Sequence, residues 1–158
     1  MPIDASACPQ PAGRPNEPKS LPLPALRCVI RAAAEDAQMD VDLLDDVLVV
    51  VNELATNGLE HGQEPVTVTV EITAATVVVH VWDAMLAALP ALRIAGVHDE
   101  NGRGLRLVTE LSMLSWGRVG QRKYVRAQLP CPRPPRTGAL ITVDLQPLAT
   151  PRHRALAW

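Results

Sequence analysis

Three polar side chains recur at four-residue intervals in an otherwise apolar stretch of the sequence. Glu53, Asn57 and His61 lie in VVVNELATNGLEHG, which ends at Gly62. Residues four apart are neighbours on an α-helix, so these side chains form one stripe along it. A carboxylate, an amide and an imidazole in apolar surroundings can bind a metal ion and polarise a hydroxyl group or a water molecule. The alternative is the solvated side of an ordinary helix, and the spacing alone does not exclude it.

Two features further along the chain turn this stripe into a candidate site. Asp83 ends a β-branched run, where its carboxylate can accept an N–H from a ligand such as the amino group of adenine. Gly102 and Gly104 in ENGRGLRLV open a predicted helix, whose N-terminal amides can bind a phosphate. The stretch has neither the GxxxxGK[ST] pattern of a Walker loop nor the third glycine of a dinucleotide fingerprint. Each feature is weak alone, because strands often end in Asp and helices often begin near glycine.

Periodicity and turn residues indicate the helices that must position these side chains. A first helix is predicted from Pro24, with apolar residues at helical spacing. A second begins near Asp40 or Asp42, where an acidic residue suits a helix N-terminus, and runs to Gly62 as its C-cap. Gly58 lies inside it and costs about 1 kcal/mol relative to alanine. Either another group packs closely against the helix at Gly58, or the helix ends at the preceding residue, Asn57.

The rest of the chain predicts strands and a third helix. PVTVTVEIT and TVVVHVWDA form a β-hairpin joined by Ala74 and Ala75. GLRLVTELSML has helical spacing that extends to Leu114, and LSWGRV with RKYVRAQLP forms a second strand pair. ITVDLQPLA is expected to be a short edge strand. This order predicts an α+β fold, a two-layer sandwich with a mixed, mostly antiparallel sheet and its helices on one face.

Composition limits the class of protein. The 158 residues suit one domain, and 47% hydrophobic residues without any Phe predict an aliphatic core. We expect a flexible proline-rich tail over residues 1–22, a folded domain over 23–130 and a Pro/Arg-rich extension over 131–158. A net charge of −2 argues against direct nucleic-acid binding. Three scattered cysteines without zinc spacing, no signal peptide and no membrane span predict a cytoplasmic protein.

The order NELATNGLEHG, Asp83 and GRGL resembles the histidine-kinase-like ATPase superfamily, which has the Bergerat nucleotide fold. The resemblance covers residues from about 24 to 130. The short chain and the WG pair after the third helix look like the anti-sigma-factor serine/threonine kinase branch. This implies a protein that uses ATP and Mg²⁺ to phosphorylate an anti-sigma-factor antagonist and controls transcription by partner switching. The implied partners are that antagonist and a sigma factor, and this branch often forms homodimers.

Carried over by position, the resemblance makes Glu53 the general base, Asn57 the Mg²⁺ ligand and Asp83 the adenine contact. His61 lies toward the phosphates in this comparison, with its role open. The lid over the phosphates hinges at the two glycines of GRGL, and the stretch contributes four candidate cofactor-binding residues, Gly102, Arg103, Gly104 and Leu105.

The sequence departs from the family pattern around the expected adenine pocket. Ala84 and Met85 follow Asp83, and Met85 replaces a usual glycine. Tyr124, or Lys123 if the alignment shifts by one, replaces the threonine that many members carry near the adenine. These changes leave an alternative function open, a non-catalytic or weakly nucleotide-binding module that acts by sequestering a protein. A third class, a small hydrolase or metal enzyme, has only Glu53 and His61 in its favour.

Overall fold

The computed structural model describes residues 20–85 and 100–148, with the backbone alone for 100–103. The order of its helices and strands along the chain is close to the order that the periodicity predicts. In chain order they are β1 (Ser20–Leu21), α1 (Leu23–Asp36), α2 (Val41–His61), β2 (Thr67–Ile72), β3 (Thr76–Asp83), α3 (Glu100–Leu111), β4 (Met113–Val119), β5 (Arg122–Pro130) and β6 (Ala139–Leu145).

The described strands form one six-stranded sheet in the order β1-β6-β2-β3-β5-β4. The β1–β6 pair is parallel and the other pairs are antiparallel. Helix α2 packs on β3 and β5, and both α1 and α3 pack against α2. The predicted α+β architecture with a mixed, mostly antiparallel sheet is therefore confirmed. No helix in the described part of the chain is both long and apolar enough to cross a membrane.

Local sequence signals explain both ends of α2. The Asp40 carboxylate accepts the N–H of Asp42 at 3.0 Å, which satisfies one of the unpaired donors of the first turn. At the other end the N–H of Gly62 donates to the Gly58 carbonyl at 2.9 Å. The helix thus continues to His61, and the alternative that it ends before Gly58 is wrong. Its apolar face is buried, with Leu44, Val47, Val50, Val51 and Leu54 all under 10% exposed.

The β2–β3 hairpin and the aliphatic core also follow the predicted pattern. In the turn, the Thr73 hydroxyl accepts the N–H groups of Ala75 and Thr76 at 3.3 and 3.1 Å. Side chains alternate across a strand, so every second residue faces the helices. The buried apolar residues on that face of the four central strands are Val68, Val70, Ile72, Val77, Val79, Val81, Ala127, Leu129, Ile141, Val143 and Leu145.

Two predicted elements differ in the structure. Strand β6 is not an edge strand, because it lies between β1 and β2 and pairs with both. Leu114 belongs to β4 rather than to the third helix, which ends at Leu111. The sheet includes β1, which precedes residues 23–130 in the sequence, and β6, which follows them. Residues 1–19 and 149–158 of the two predicted tails lie outside the described residues.

Gly58 is explained by the packing of α2 on the sheet. A Cβ atom at this position would lie 3.0 Å from Cγ1 of Val81 and 3.1 Å from Cγ1 of Val66. Those distances are shorter than an ordinary carbon–carbon contact of about 3.5–4.0 Å. The close approach suggested by a glycine inside a helix is therefore that of the sheet itself, not of a ligand.

Replacing Gly58 by leucine should destabilise the fold, because the new side chain must push α2 away from β2 and β3. Overpacking of a core typically costs about 1–3 kcal/mol. Urea unfolding followed by circular dichroism measures this loss. Asp45→Leu, at an exposed position of the same helix, is the control and should change stability by less than about 0.5 kcal/mol. Equal stability of the two variants would contradict the packing explanation.

Candidate functional site

The stripe predicted on α2 is present, but its three members differ in environment. Glu53 and Asn57 are half-buried along the helix. The His61 side chain at the helix end is 62% exposed, and its Nε2 atom lies 3.8 Å from Oε2 of Glu60. The carboxylate and the amide therefore lie in a sheltered part of the surface, whereas the imidazole is in contact with solvent.

Helix α3 reaches the stripe at Glu53. A Cβ atom on Gly104 would overlap the Glu53 carboxylate, with the carboxyl carbon only 2.7 Å away. A glycine at this position thus allows α3 to pass α2 directly over the carboxylate. Residues 53 and 104, which are distant in sequence, are brought together as the candidate site requires.

The second glycine of GRGL, Gly104, lies within α3 rather than in its first turn. In an α-helix the first four N–H groups have no partner within the helix. Since α3 includes every residue from Glu100 onward in the described part of the chain, Gly104 lies at least one turn into the helix. The expectation that both glycines expose amides to a phosphate is therefore corrected for Gly104, whose place is explained by its contact with Glu53.

The remaining parts of the predicted lid are described only partly. Leu105 is half-buried and packs against the core. The structure gives the backbone of Gly102 and Arg103 within α3. The segment 86–99 between Asp83 and α3 lies outside the described residues, so the predicted lid hinge stays a prediction.

Asp83 ends β3 and is 4% exposed. One carboxylate oxygen, Oδ1, accepts the N–H of Met85 at 2.8 Å. The other, Oδ2, lies 3.3 Å from Nζ of Lys123, and both side chains of this pair are under 10% exposed. Gly62 lies against the same carboxyl group, since a Cβ there would be 2.9 Å from its Cγ. The carboxylate is thus held by a backbone amide, an ammonium group and the end of α2.

The structure decides between Tyr124 and Lys123 as the residue beside Asp83. Lys123 is the direct strand partner of Asp83, so the two side chains share the face that α2 covers. Tyr124 points to the opposite face, where its ring centroid lies 5.0 Å from that of Trp82. There it covers Gly117, whose added Cβ would be 2.8 Å from the Tyr124 hydroxyl. Tyr124 therefore does not lie beside Asp83, and the alternative alignment, shifted by one residue, gives the residue that does, Lys123.

The residues present fit the magnesium and phosphate end of a bound nucleotide better than its base end. Mg²⁺ prefers oxygen ligands and is usually held by one or two protein groups together with substrate phosphates. The half-buried Asn57 amide oxygen fits that role, and the Glu53 carboxylate lies one helical turn away. Among the described residues no group of three or more His, Cys, Asp or Glu side chains forms a metal site. At the other end, both oxygens of Asp83 already have partners within the protein.

Sequence reasoning missed two contributors to the site. Lys123 appeared only as an alternative, although its alternation with the apolar residues Val125, Ala127 and Leu129 indicates the face that it shares with them. Gly62 was interpreted only as a helix C-cap. Its contact with Asp83 has no local signal, because the two residues are 21 positions apart and meet only when β3 packs beside α2.

Comparison with known proteins identifies a family for most of the chain. The family model for the histidine kinase-like ATPase domain matches residues 15–128, which contain every candidate residue discussed above. Neither the curated proteins nor the solved structures provide a match.

Proposed function

Since the chain belongs to the histidine kinase-like ATPase domain family, we propose that it is an ATP-binding regulatory protein that acts as a serine/threonine kinase of the anti-sigma-factor type. The observation that carries the proposal is the arrangement of α2 and α3 around Glu53. A half-buried carboxylate lies one helical turn from the Asn57 amide and directly beneath Gly104. This arrangement combines a proton acceptor and a magnesium ligand in one sheltered place.

In the proposed reaction, each of these residues has a distinct role. Glu53 accepts the proton of the attacking seryl or threonyl hydroxyl, a role that positioned carboxylates fill in many enzymes. Asn57 binds Mg²⁺ through its amide oxygen. ATP, as substrate, supplies the phosphoryl group that is transferred to the hydroxyl oxygen, and Mg²⁺ offsets the charge of its phosphates. The solvent-exposed His61 is left without an assigned role in the chemistry.

The proposed substrate is an anti-sigma-factor antagonist protein. Phosphorylation adds about −1.5 to −2 charges at neutral pH, which is enough to weaken or create a protein interface. The chain then releases or retains a sigma factor according to the phosphorylation state of the antagonist. This partner switching and a homodimeric assembly rest on the resemblance to the kinase branch.

Two measurements test the proposal separately, the binding of Mg·ATP and the transfer of its phosphoryl group to a protein substrate. At about one hundred times its Kd, Mg·ATP should stabilise the folded chain by about 2.7 kcal/mol, or about 5–10 °C in Tm for a domain of this size. Incubation of a purified anti-sigma-factor antagonist with the chain and γ-labelled Mg·ATP should produce phosphoserine or phosphothreonine. Asn57→Ala is the control variant, and it should lose the part of the Tm rise that depends on Mg²⁺. A Tm unaffected by Mg·ATP at any concentration would contradict the proposal.

A second candidate function is favoured by one specific observation. Because Lys123 already pairs with Asp83, a non-catalytic module of the same fold that acts by sequestering a protein partner is consistent with the site. Calorimetry separates the two candidates. Micromolar binding of Mg·ATP would count against the sequestering module, and transfer of label to the antagonist would exclude it.

A further inference from the structure

The carboxylate of Asp83 has both of its oxygens engaged inside the protein. The N–H of Met85 donates to Oδ1 at 2.8 Å, and the Lys123 ammonium lies 3.3 Å from Oδ2. The two charged side chains are 6% and 9% exposed, so water does not compete freely for them. An ion pair in such surroundings attracts more strongly than one at the surface.

Lys123 has the same hydrogen-bonding character toward this carboxylate as an exocyclic amino group of a nucleobase. An ammonium group has three N–H donors and no acceptor. It also carries a positive charge, so its attraction to the carboxylate includes a Coulombic contribution that a neutral amino group lacks. We propose that Lys123 occupies, from within the protein, the position on Asp83 that the amino group of adenine requires, and thereby sets a low affinity for adenine nucleotides.

The surrounding backbone holds the two groups in this arrangement. Asp83 and Lys123 are paired across β3 and β5, so the strand ladder fixes the distance between their Cα atoms. Gly62 lies against the same carboxyl group, since even a single added carbon would be 2.9 Å from its Cγ. Because Oδ1 accepts the N–H of Met85 and Oδ2 faces the Lys123 ammonium, a base must displace the lysine to bind Oδ2.

This inference rests on the proposed nucleotide site and adds the residue that controls its affinity. Lys123→Thr removes the charge and most of the side chain, which opens space beside Asp83. Lys123→Gln keeps most of the length with a neutral amide donor, and it serves if the threonine variant does not fold. Lys123→Arg retains a cation on the carboxylate. Arg126→Thr makes the same charge change on β5 but on the opposite face of the sheet, so it is the matched control.

Isothermal titration calorimetry of the full chain with Mg·ATP tests the proposal, with inorganic tripolyphosphate as a probe that lacks the base. We expect Lys123→Thr to bind Mg·ATP at least about tenfold more tightly than the parent, which corresponds to the loss of about one competing charged hydrogen bond. Lys123→Gln should show a smaller gain. Lys123→Arg and Arg126→Thr should bind as the parent does, and tripolyphosphate should bind all variants about equally.

The outcomes distinguish this inference from the proposed function. Tight binding of Mg·ATP by the parent, with no gain in Lys123→Thr or Lys123→Gln, overturns the role of Lys123 and leaves the proposed kinase intact. A gain that is equally large for tripolyphosphate also overturns it, because the effect then does not involve the base. Failure of the parent and all folded variants to bind Mg·ATP overturns both. Weak binding by the parent with tight binding by Lys123→Thr supports the inference and favours the sequestering module.

Discussion

Replacing Asp83 by leucine, with Lys123 retained, should lower the free energy of unfolding by about 3–5 kcal/mol, because it removes the carboxylate that faces the buried ammonium group of Lys123. The Asp83 side chain is 6% exposed, and its carboxylate also accepts the N–H of Met85. Its loss therefore removes a charge partner and a hydrogen-bond acceptor at the same place. Urea unfolding monitored by circular dichroism measures the change.

Replacing both members of the pair should restore most of this stability. Apolar residues of similar volume often substitute for a buried ion pair without loss, so Asp83→Leu combined with Lys123→Met should recover to within about 1 kcal/mol of the parent. The exposed pair Arg106–Glu110 on α3 is the control. Glu110→Gln there should cost less than about 1 kcal/mol. An Asp83→Leu variant as stable as Glu110→Gln would show that the pair is not buried in solution.

Replacing Glu53 by glutamine should reduce phosphotransfer to an anti-sigma-factor antagonist by about 10²–10⁴-fold, the usual contribution of a positioned general base. Glutamine has nearly the same shape, so the contact with Gly104 is preserved and the affinity for Mg·ATP should change little. The rate of label transfer at saturating Mg·ATP measures the first effect, and calorimetry measures the second. Retention of more than about a tenth of the parental rate would exclude Glu53 as the base.

Gly104→Ala tests the same carboxylate without changing its chemistry. The added methyl group overlaps the Glu53 carboxylate, and the flexible side chain must move aside. We therefore expect transfer to fall in this variant too, with little change in Tm, because the displaced group is the end of a long side chain rather than backbone. Glu110→Gln, at an exposed position of the same helix, should transfer at the parental rate.

The predictable parts of this protein depend on short-range signals. Helix α2 is predicted by its apolar periodicity, with Asp40 as its N-cap and Gly62 as its C-cap. Each of these sequence signals lies within a few residues of the part of the helix that it determines. The β2–β3 hairpin follows from two β-branched runs with a short connection. The α+β fold class is also predictable, because the order of these elements limits how a sheet and its helices can pack.

The error at Tyr124 shows where alignment by motif is weaker than strand periodicity. A shift of one residue in a strand moves a side chain to the opposite face of the sheet. Val125, Ala127 and Leu129 alternate toward the core, and Lys123 continues that series. The sequence thus contains the signal that places Lys123 beside Asp83, although the resemblance to the family favours the neighbouring tyrosine.

The amino-acid sequence alone is sufficient to predict the main helices and the spacing of Glu53 and Asn57 along α2. It is also sufficient to show the resemblance to the family. Folding in three dimensions adds the insertion of β6 between β1 and β2, the contact of Gly104 with Glu53 and the pair formed by Asp83 and Lys123. The physical reason is the range of the interactions. Helix periodicity and caps act between residues a few positions apart, whereas sheet order and buried ion pairs join residues that are distant in the chain and meet only once the core has formed.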